Sequence, residues 1–253
     1  MHVKQSCHIV SFSFLALTLL IPSKALADGL GLPMAVAVES TNCLIGNATQ
    51  SNGATGYSNF SDSCDLVVTG GGIVTQAVGT TLVTLGVKPT VDVMASMTDG
   101  GYTLVGVEAK ATWYTAVESI GTPLDLPPDV TIPVFFSWTG ETQSSFPDEG
   151  NIYAGFDHKH TSTPGVYSFN LVPGTQYEAG LDASCEVGNA SENLISNECQ
   201  AVADPGLTFD QAAFNAEMGS NTFPLAEYYS IEYSPNLTAK ESLHKSATRV
   251  IFE

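Results

Sequence analysis

Residues 105–117 read VGVEAKATWYTAV, a stretch in which small or apolar residues alternate with more polar ones. Successive side chains of a β-strand point to opposite faces, so a period of two indicates a strand with one buried face. The predicted inner face consists of Val105, Val107, Ala109, Ala111, Trp113, Thr115 and Val117. The predicted outer face consists of Gly106, Glu108, Lys110, Thr112 and Tyr114. The stretch therefore predicts a long, half-buried strand.

The same alternation recurs in residues 130–138, VTIPVFFSW, whose predicted inner face is Val130, Ile132, Val134, Phe136 and Trp138. Pro133 lies on the opposite face, and because proline has no backbone N–H, we expect this strand at a sheet edge or with a bulge. Other strand-like segments follow at the spacing of about 8–12 residues that is typical of sandwiches and barrels. We predict an all-β fold, an antiparallel β-sandwich of jelly-roll-like form. Its core positions are often Ala, Val, Thr or Ser, so we expect the two sheets to lie close together.

A single segment of the chain, residues 208–219 (TFDQAAFNAEMG), has the character of a helix. Its alanines favour helix, Thr208 is a candidate N-cap, and Gly219 is suited to end the helix. We expect one short helix of one or two turns near residues 209–218.

The two ends of the chain differ from its body. Residues 1–27 have a basic start, a short apolar run and a small-residue exit at Ala27, the pattern of a secretory signal peptide cleaved after that residue. The alternative is a retained N-terminal anchor, although the apolar run is shorter than the roughly 20 residues of a membrane span. We expect a single β-sandwich domain at 28–237, without a membrane span, and a polar, disordered tail at 238–253.

The mature chain is strongly acidic. Residues 1–27 hold Lys4 and Lys24 and no acids, which leaves 8 − 2 = 6 basic residues against 26 acidic ones, a formal charge of −20. Such a surface repels nucleic acid and favours solubility outside the cell. It can also attract divalent cations.

Four cysteines remain after processing, and an oxidising compartment makes disulfides the expected state. Three pairings are possible. Short loops close most readily, which favours Cys43–Cys64 and Cys185–Cys199. A zinc site is the alternative, but neither pair has the close spacing that zinc usually requires.

The stretch FDHKHTSTPG, residues 156–165, contains the candidate metal ligands His158 and His160. Residues two apart on a strand share a face, so both imidazoles can point at one ion, with Asp157 pointing away. Such a site needs a third ligand, and the remaining histidine of the mature chain, His244, lies in the polar tail. We therefore interpret the stretch as a strand end followed by a turn, and we predict no bound cofactor.

Motifs for catalysis are lacking: there is no GxSxG, no HExxH and no phosphate-binding loop. A pair of carboxylates can cleave glycosides, but nothing selects one pair among so many acids. Asp204 and Asp210 are candidate calcium ligands, for which the alternative is a turn aspartate and an acid at a helix N-terminus. Four sequons for N-glycosylation begin at Asn47, Asn59, Asn189 and Asn236.

Residues 205–237 (PGLTFDQAAFNAEMGSNTFPLAEYYSIEYSPNL) and 69–117 resemble bacterial exported proteins of the PEP-CTERM type, which exosortases sort to the surface. The shared features are an FD-x-x-AF segment before a strand that ends in YSPN, and Gly-rich turns before a long strand that ends near TW. The resemblance implies an exported β-sandwich of the cell surface or extracellular matrix. The chain lacks the C-terminal Pro-Glu-Pro motif, apolar helix and basic end, so the resemblance implies free secretion rather than anchoring.

These features lead to three functional hypotheses. The first is a non-catalytic matrix or binding protein whose partner is a polysaccharide, with candidate contact residues Trp113, Trp138, Tyr228, Tyr229 and Tyr233. For the two tryptophans, core packing is the competing interpretation because both lie on apolar strand faces. The second is a secreted hydrolase that uses the two histidines or a carboxylate pair. The third is a calcium-stabilised adhesion domain.

Overall fold

A computed structural model of the protein describes residues 31–70, 73–86, 88–98, 103–120, 130–144, 150–188, 195–219 and 223–237, with the side chains of 70, 73, 144 and 195–206 excepted. The predicted signal peptide and C-terminal tail lie outside these residues. Thirteen strands and two helices of four or more residues are present in this part of the chain. The strands are β1 (Val36–Ile45), β2 (Ala48–Gly56), β3 (Phe60–Gly70), β4 (Ile73–Thr84), β5 (Thr90–Met97), β6 (Thr103–Ser119), β7 (Ile132–Ser144), β8 (Gly150–Phe156), β9 (Lys159–Thr161), β10 (Gly165–Leu171), β11 (Gln176–Gly188), β12 (Ile195–Phe209) and β13 (Tyr229–Tyr233).

The strands form two antiparallel sheets that pack face to face. Sheet A has the order β2-β1-β6-β11-β8-β9, with β13 paired to the end of β6, and sheet B has the order β10-β7-β12-β5-β4-β3. Strand β5 pairs with β12, β6 with β11, β7 with β10 and β8 with β9. Strands β5 to β8 and strands β9 to β12 are thus the two arms of one long hairpin, whose tip is at β8–β9. This hairpin contributes strands to both sheets, which is the winding of a jelly roll. The hairpins β1–β2 and β3–β4 widen the two sheets on one side.

Small residues allow the two sheets to approach closely, as the sequence predicts. Facing Cα atoms of β1 and β4, and of β6 and β5, come within 8 Å, whereas stacked sheets are usually about 10 Å apart. Gly79 on the inner face of β4 is the tightest point, because a Cβ there would lie 2.7 Å from Val107 Cγ1. Alanines contribute much of the remaining core: Ala37, Ala77, Ala95, Ala109, Ala111, Ala154, Ala179 and Ala183 are all buried.

The burial pattern of β6 confirms the strand predicted from residues 105–117, including the fully buried Trp113. The prediction for β7 is right in its inner face but wrong about its place, because β7 lies between β10 and β12 in the interior of sheet B. Pro133 is tolerated there because it is the second residue of β7, where it pairs with Asn170 near the end of β10 and lies beyond the last residue pair with β12. The bulge lies in the neighbouring β12, between Ala203 and Gly206.

The helical segment forms α1 (Gln211–Met218), which ends at Gly219 in the left-handed conformation, as predicted. Its N-cap is Asp210, whose carboxylate accepts a hydrogen bond from Ala213 N at 2.9 Å, and not Thr208. Asp210 therefore serves the helix end, and the side chain of Asp204 lies outside the described residues. A second short helix, α2 (Leu225–Tyr228), precedes β13.

A disulfide joins Cys43 on β1 to Cys64 on β3 and thereby ties sheet A to sheet B. Next to it, Asn52 on β2 donates to the Ser63 carbonyl at 2.7 Å, so β2 also closes over the edge of sheet B. Cys185 is disulfide-bonded as well, but the side chain of Cys199 lies outside the described residues, and this pairing stays a prediction. A disulfide is compatible with an extracellular protein. None of the helices in the described ranges is long and apolar enough to cross a membrane.

Candidate functional site

The two histidines singled out from the sequence lie at the tip of the jelly-roll hairpin. Phe156 pairs with Lys159, so Asp157 and His158 are the two residues of a tight turn, and both have positive φ, 48° and 62°. Such a turn matches the twist of the strands it connects. His158 therefore belongs to a turn and not to the strand on which His160 lies, so the two histidines do not share one strand as their spacing predicts.

Both histidines are exposed, and both border a depression on the outer face of sheet A. A second depression adjoins it, and Tyr153 and Asp182 line both of them. Their volumes are about 360 and 400 Å³. We call the pair the outer groove; the part beside β9 is its hairpin half, and the part beside β1 is its acidic half.

Strand register places the polar side chains of the groove in rows across sheet A. In one row Lys110 lies opposite Asp182, which lies opposite Tyr153. In the next row Glu108 lies between Ser40 and Ser184, followed by Asn151, and in the third Gly106 lies between Asn42 and Glu186. Along each strand these outward residues alternate with residues that face the core, so the alternation that builds the core also builds the groove.

Glycines form the floor of the groove and set its depth. His160 packs over Gly155, where a Cβ would lie 2.9 Å from its Nδ1 atom. A Cβ at Gly180 would lie 3.1 Å from the Ala111 carbonyl oxygen. Gly106 differs, because a Cβ there meets nothing within 4 Å and would point into the acidic half. A methyl group therefore fits at this position without a clash, and a longer side chain there would extend into the groove.

Two carboxyl groups in the groove titrate above their usual range. Burial raises the pKa of Glu108, and the neighbouring Asp182 raises it further, while the Lys110 ammonium lowers it. Burial likewise raises the pKa of Asp182, partly offset by Lys110 and His160. Lys110 acts on both groups and His160 on Asp182 alone, and burial outweighs their effect on each pKa.

The charges of the groove are distributed unevenly. Between residues 28 and 237 the sequence has three basic residues other than histidine, namely Lys88, Lys110 and Lys159. Lys110 and both histidines line the hairpin half together with Glu178 and Asp182. The acidic half is lined by three carboxylates, Glu108, Asp182 and Glu186, together with neutral polar and apolar side chains, and no basic side chain is among its described lining residues.

The aromatic residues proposed from the sequence do not line the groove. Trp113 and Trp138 are each 1% exposed and pack in the core, and Tyr229 is buried. Tyr233 bonds to the backbone of Leu207 through its hydroxyl group. The exposed aromatic residue among those that line the groove is instead Tyr153 on β8, which is 41% exposed, whereas Phe156 beside it is buried. Its outward position follows from alternation within residues 150–156, but only the sheet order brings it beside Asp182.

For metal binding, the described residues contain no group of three or more His, Cys, Asp or Glu side chains that could hold an ion. Asp157, His158 and His160 thus lie near one another without forming such a group. The acids around the groove are likewise spread along the strands and do not converge on a point.

The fold and the groove define this chain as a jelly-roll β-sandwich protein with a cleft of mixed polar and apolar lining on the outer face of one sheet. No protein-family model matches the chain, and no curated protein or solved structure has significant similarity to it. The resemblance to PEP-CTERM proteins accordingly stays a prediction.

Proposed function

We propose that this chain is an exported, non-catalytic binding protein of the cell surface or extracellular matrix, and that it binds a polysaccharide in the outer groove. The observation that carries the proposal is the pair of adjoining depressions, lined by polar and apolar groups, with Tyr153 exposed where they meet. An exposed aromatic ring can stack on the apolar face of a sugar. Carboxylates, amides and hydroxyl groups on both sides can bond its hydroxyl groups.

Several features support the proposal. An elongated groove that is open on the sheet face suits a linear chain better than a small enclosed ligand. The jelly roll is also the fold of many lectin domains, which is an analogy at the level of the fold alone. The predicted signal peptide and the disulfide agree with an extracellular setting.

A direct binding measurement tests the proposal. We expect the mature protein to bind at least one member of a panel of neutral and charged polysaccharides, measured by calorimetry. Tyr153→Ala should weaken binding about tenfold, because an aromatic contact is worth about 1 kcal/mol or slightly more. Tyr57→Ala is the matched control, since Tyr57 is 44% exposed and does not line the groove.

A second pair of variants tests the groove by filling it. Gly106→Leu places a side chain in the acidic half, whereas Gly86→Leu places one in open space outside the groove. We expect loss of binding for the first and native binding for the second. Native affinity in both Tyr153→Ala and Gly106→Leu would place the binding surface elsewhere, and no binding to any polysaccharide would contradict the proposal.

The alternative of a secreted hydrolase has one observation in its favour. Glu108 and Asp182 lie on adjacent strands, and burial together with their mutual proximity raises the pKa of Glu108, as expected for a carboxyl group that donates a proton to a glycosidic oxygen. Release of reducing ends from a bound polysaccharide, abolished in Glu108→Gln and in Asp182→Asn, would favour the hydrolase. Bound polysaccharide that stays intact would favour the binding protein.

A further inference from the structure

We propose that two copies of this chain associate edge to edge through the end of β3, residues 66–70. In this dimer the segment pairs antiparallel with the same segment of a second copy, about a two-fold axis at Val68. The dimer is independent of the proposed function, because the outer groove lies on sheet A and β3 is an edge strand of sheet B.

The first part of the β3 edge is covered by side chains of β2. Asn52 donates to the carbonyl oxygen of Ser63 at 2.7 Å, and the N–H of Asp65 donates to Gln50 Oε1 at 3.3 Å. These two β3 residues therefore direct their backbone groups away from β4 and toward the edge of the sheet.

The part of the edge that follows is open. Because backbone groups alternate along a strand, the N–H and C=O groups of Val67 and Thr69 also face away from β4. Within the described part of the chain, no residue forms a hydrogen bond with these groups. They complement an extended segment that offers the same donors and acceptors.

This open segment lacks the features that usually protect an edge strand, which are short length, lysine, proline or a bulge. Its pairing with β4 has no register shift, and residues 66–70 (LVVTG) contain neither a charge nor a proline. Two other edge strands differ from it. Strand β9 is three residues long and carries Lys159, and β10 lies between Pro164 and Pro173.

The charge distribution favours a second copy of the chain as the partner. Two strongly acidic copies repel each other over most of their surfaces. Residues 66–87 contain no charged residue, so the β3–β4 hairpin is a neutral region at which two copies can meet. Val67 and Val74 are 53% and 58% exposed there, and a paired strand would bury part of this apolar surface.

A two-fold axis at Val68 uses all of the open backbone groups. Val67 of one copy exchanges both hydrogen bonds with Thr69 of the other, and the symmetry repeats this pair. Val67 then lies in one row with Thr69 and Val74 of the second copy. The pairing ends at residue 66, because Gln50 covers the next open position of each copy.

Sedimentation equilibrium of the mature chain over a wide range of concentrations measures the association. We expect a monomer–dimer equilibrium. Val67→Lys introduces the charge that protects many natural edge strands, and Thr69→Pro removes an outward N–H that β4 does not use. Each variant should raise the dissociation constant of the dimer about tenfold or more, because the symmetry doubles every lost contact.

Matched controls separate the β3 edge from general effects of charge and side-chain size. Val166→Lys adds the same charge to β10, at the opposite edge of sheet B, where Val166 is 65% exposed. Thr69→Ala shortens the same side chain and keeps the N–H. Both controls should dimerise as the native chain does, and thermal melts should show that all four variants are folded.

The position of the axis has a separate test. Val68 faces Val68 of the second copy in a non-hydrogen-bonded pair, with Cα atoms about 4.5 Å apart, which is close enough for a disulfide. After mild oxidation we expect Val68→Cys to run as a covalent dimer on a non-reducing gel. Val166→Cys, on β10, should remain a monomer on the same gel.

Other outcomes overturn the proposal. A native chain that stays monomeric at every concentration would exclude the dimer. Native association in both Val67→Lys and Thr69→Pro would place the interface on another surface. Equal weakening by Val67→Lys and Val166→Lys would show that association does not depend on the β3 edge in particular. Crosslinking of both cysteine variants, or of neither, would contradict an axis at Val68.

Discussion

At the scale of single residues, the spacing of the sheets depends on positions where even one methyl group is too large. A Cβ at position 79 would lie 2.7 Å from Val107 Cγ1 and 3.0 Å from Cys64 Sγ, both within the closed core. We expect Gly79→Ala to lower the free energy of unfolding by about 1–3 kcal/mol, the usual cost of overpacking. Urea denaturation followed by fluorescence measures this change.

A glycine on the other face of the same sandwich is the control. Gly106→Ala adds the same methyl group in open space, where the reduced freedom of the unfolded chain should stabilise the protein by about 0.5 kcal/mol. If Gly79→Ala unfolded at the same urea concentration as Gly106→Ala, the space between the sheets at position 79 would have to be wider than in this structure.

A buried carboxyl group makes stability depend on pH. Glu39 on β1 is 2% exposed, and its Oε1 atom accepts a hydrogen bond from Val83 N at 3.0 Å. Burial raises the pKa of Glu39, an effect that the Thr81 hydroxyl and the Val83 amide partly offset and that Asp62 reinforces. The folded state therefore holds this proton more tightly than the unfolded chain does.

The sign of the pH effect follows from that difference. Protonated Glu39 contributes to the free energy of unfolding. This contribution is complete below the ordinary pKa of 4.5 and is lost as the pH rises through the higher pKa of the folded state. Glu39→Gln keeps an acceptor for Val83 and has no proton to lose. We expect its stability relative to the native protein to increase from pH 4 to pH 8, measured by denaturant titration at each pH.

The exposed Glu217 provides the comparison for this prediction. Glu217→Gln removes the same formal charge from the surface of α1 without touching the core. If the native protein and Glu39→Gln differed in free energy of unfolding by the same amount at every pH, the Glu39 carboxyl would titrate alike in the folded and unfolded states.

At the scale of elements, the turn of the β8–β9 hairpin holds two residues in an unfavourable backbone conformation, and a substitution can remove part of that free-energy cost. Asp157 and His158 both adopt the left-handed region, which costs a non-glycine residue about 1–2 kcal/mol and which Asn-Gly turns adopt readily. We expect His158→Gly to raise the free energy of unfolding by about 1 kcal/mol and His158→Val to lower it by a similar amount. Thermal melts with and without Zn²⁺ provide the measurement.

The outcome also decides what His158 does. A stabilised His158→Gly variant with an unchanged response to zinc identifies the residue as part of a turn. A variant that is less stable than the native protein only when zinc is present would restore the imidazole as a metal ligand.

The elements also show which features of the fold the sequence alone predicts. Alternation predicts β6, the inner face of β7 and the small-residue core, because each depends on neighbours two positions apart. It does not predict that β7 lies inside sheet B, since the place of a strand depends on pairings with β10 and β12 far along the chain. The groove escapes sequence analysis for the same reason: Lys110, Asp182 and Tyr153 meet only through the order β6-β11-β8.

At the scale of the whole molecule, the wide sandwich is closed on one side by a covalent link between its sheets. Cys43 and Cys64 are 21 residues apart and both fully buried, and their strands belong to different sheets. A crosslink of this length should stabilise the fold by about 3 kcal/mol, chiefly by restricting the unfolded chain. We expect Cys43→Ala with Cys64→Ala to lower the free energy of unfolding by about that amount in urea under non-reducing conditions.

Non-reducing conditions are needed because Cys185 takes part in a separate disulfide, which a reductant would also break. The double variant leaves that second crosslink intact, so the measured loss belongs to the β1–β3 link alone. If the variant unfolds at a lower urea concentration, it can still bind the tightest-binding polysaccharide with native affinity. That result would show that the disulfide holds the sheets together without shaping the outer groove. A variant as stable as the native protein would mean that the Asn52 hydrogen bond and the close sheet packing hold the β2–β3 side without the disulfide.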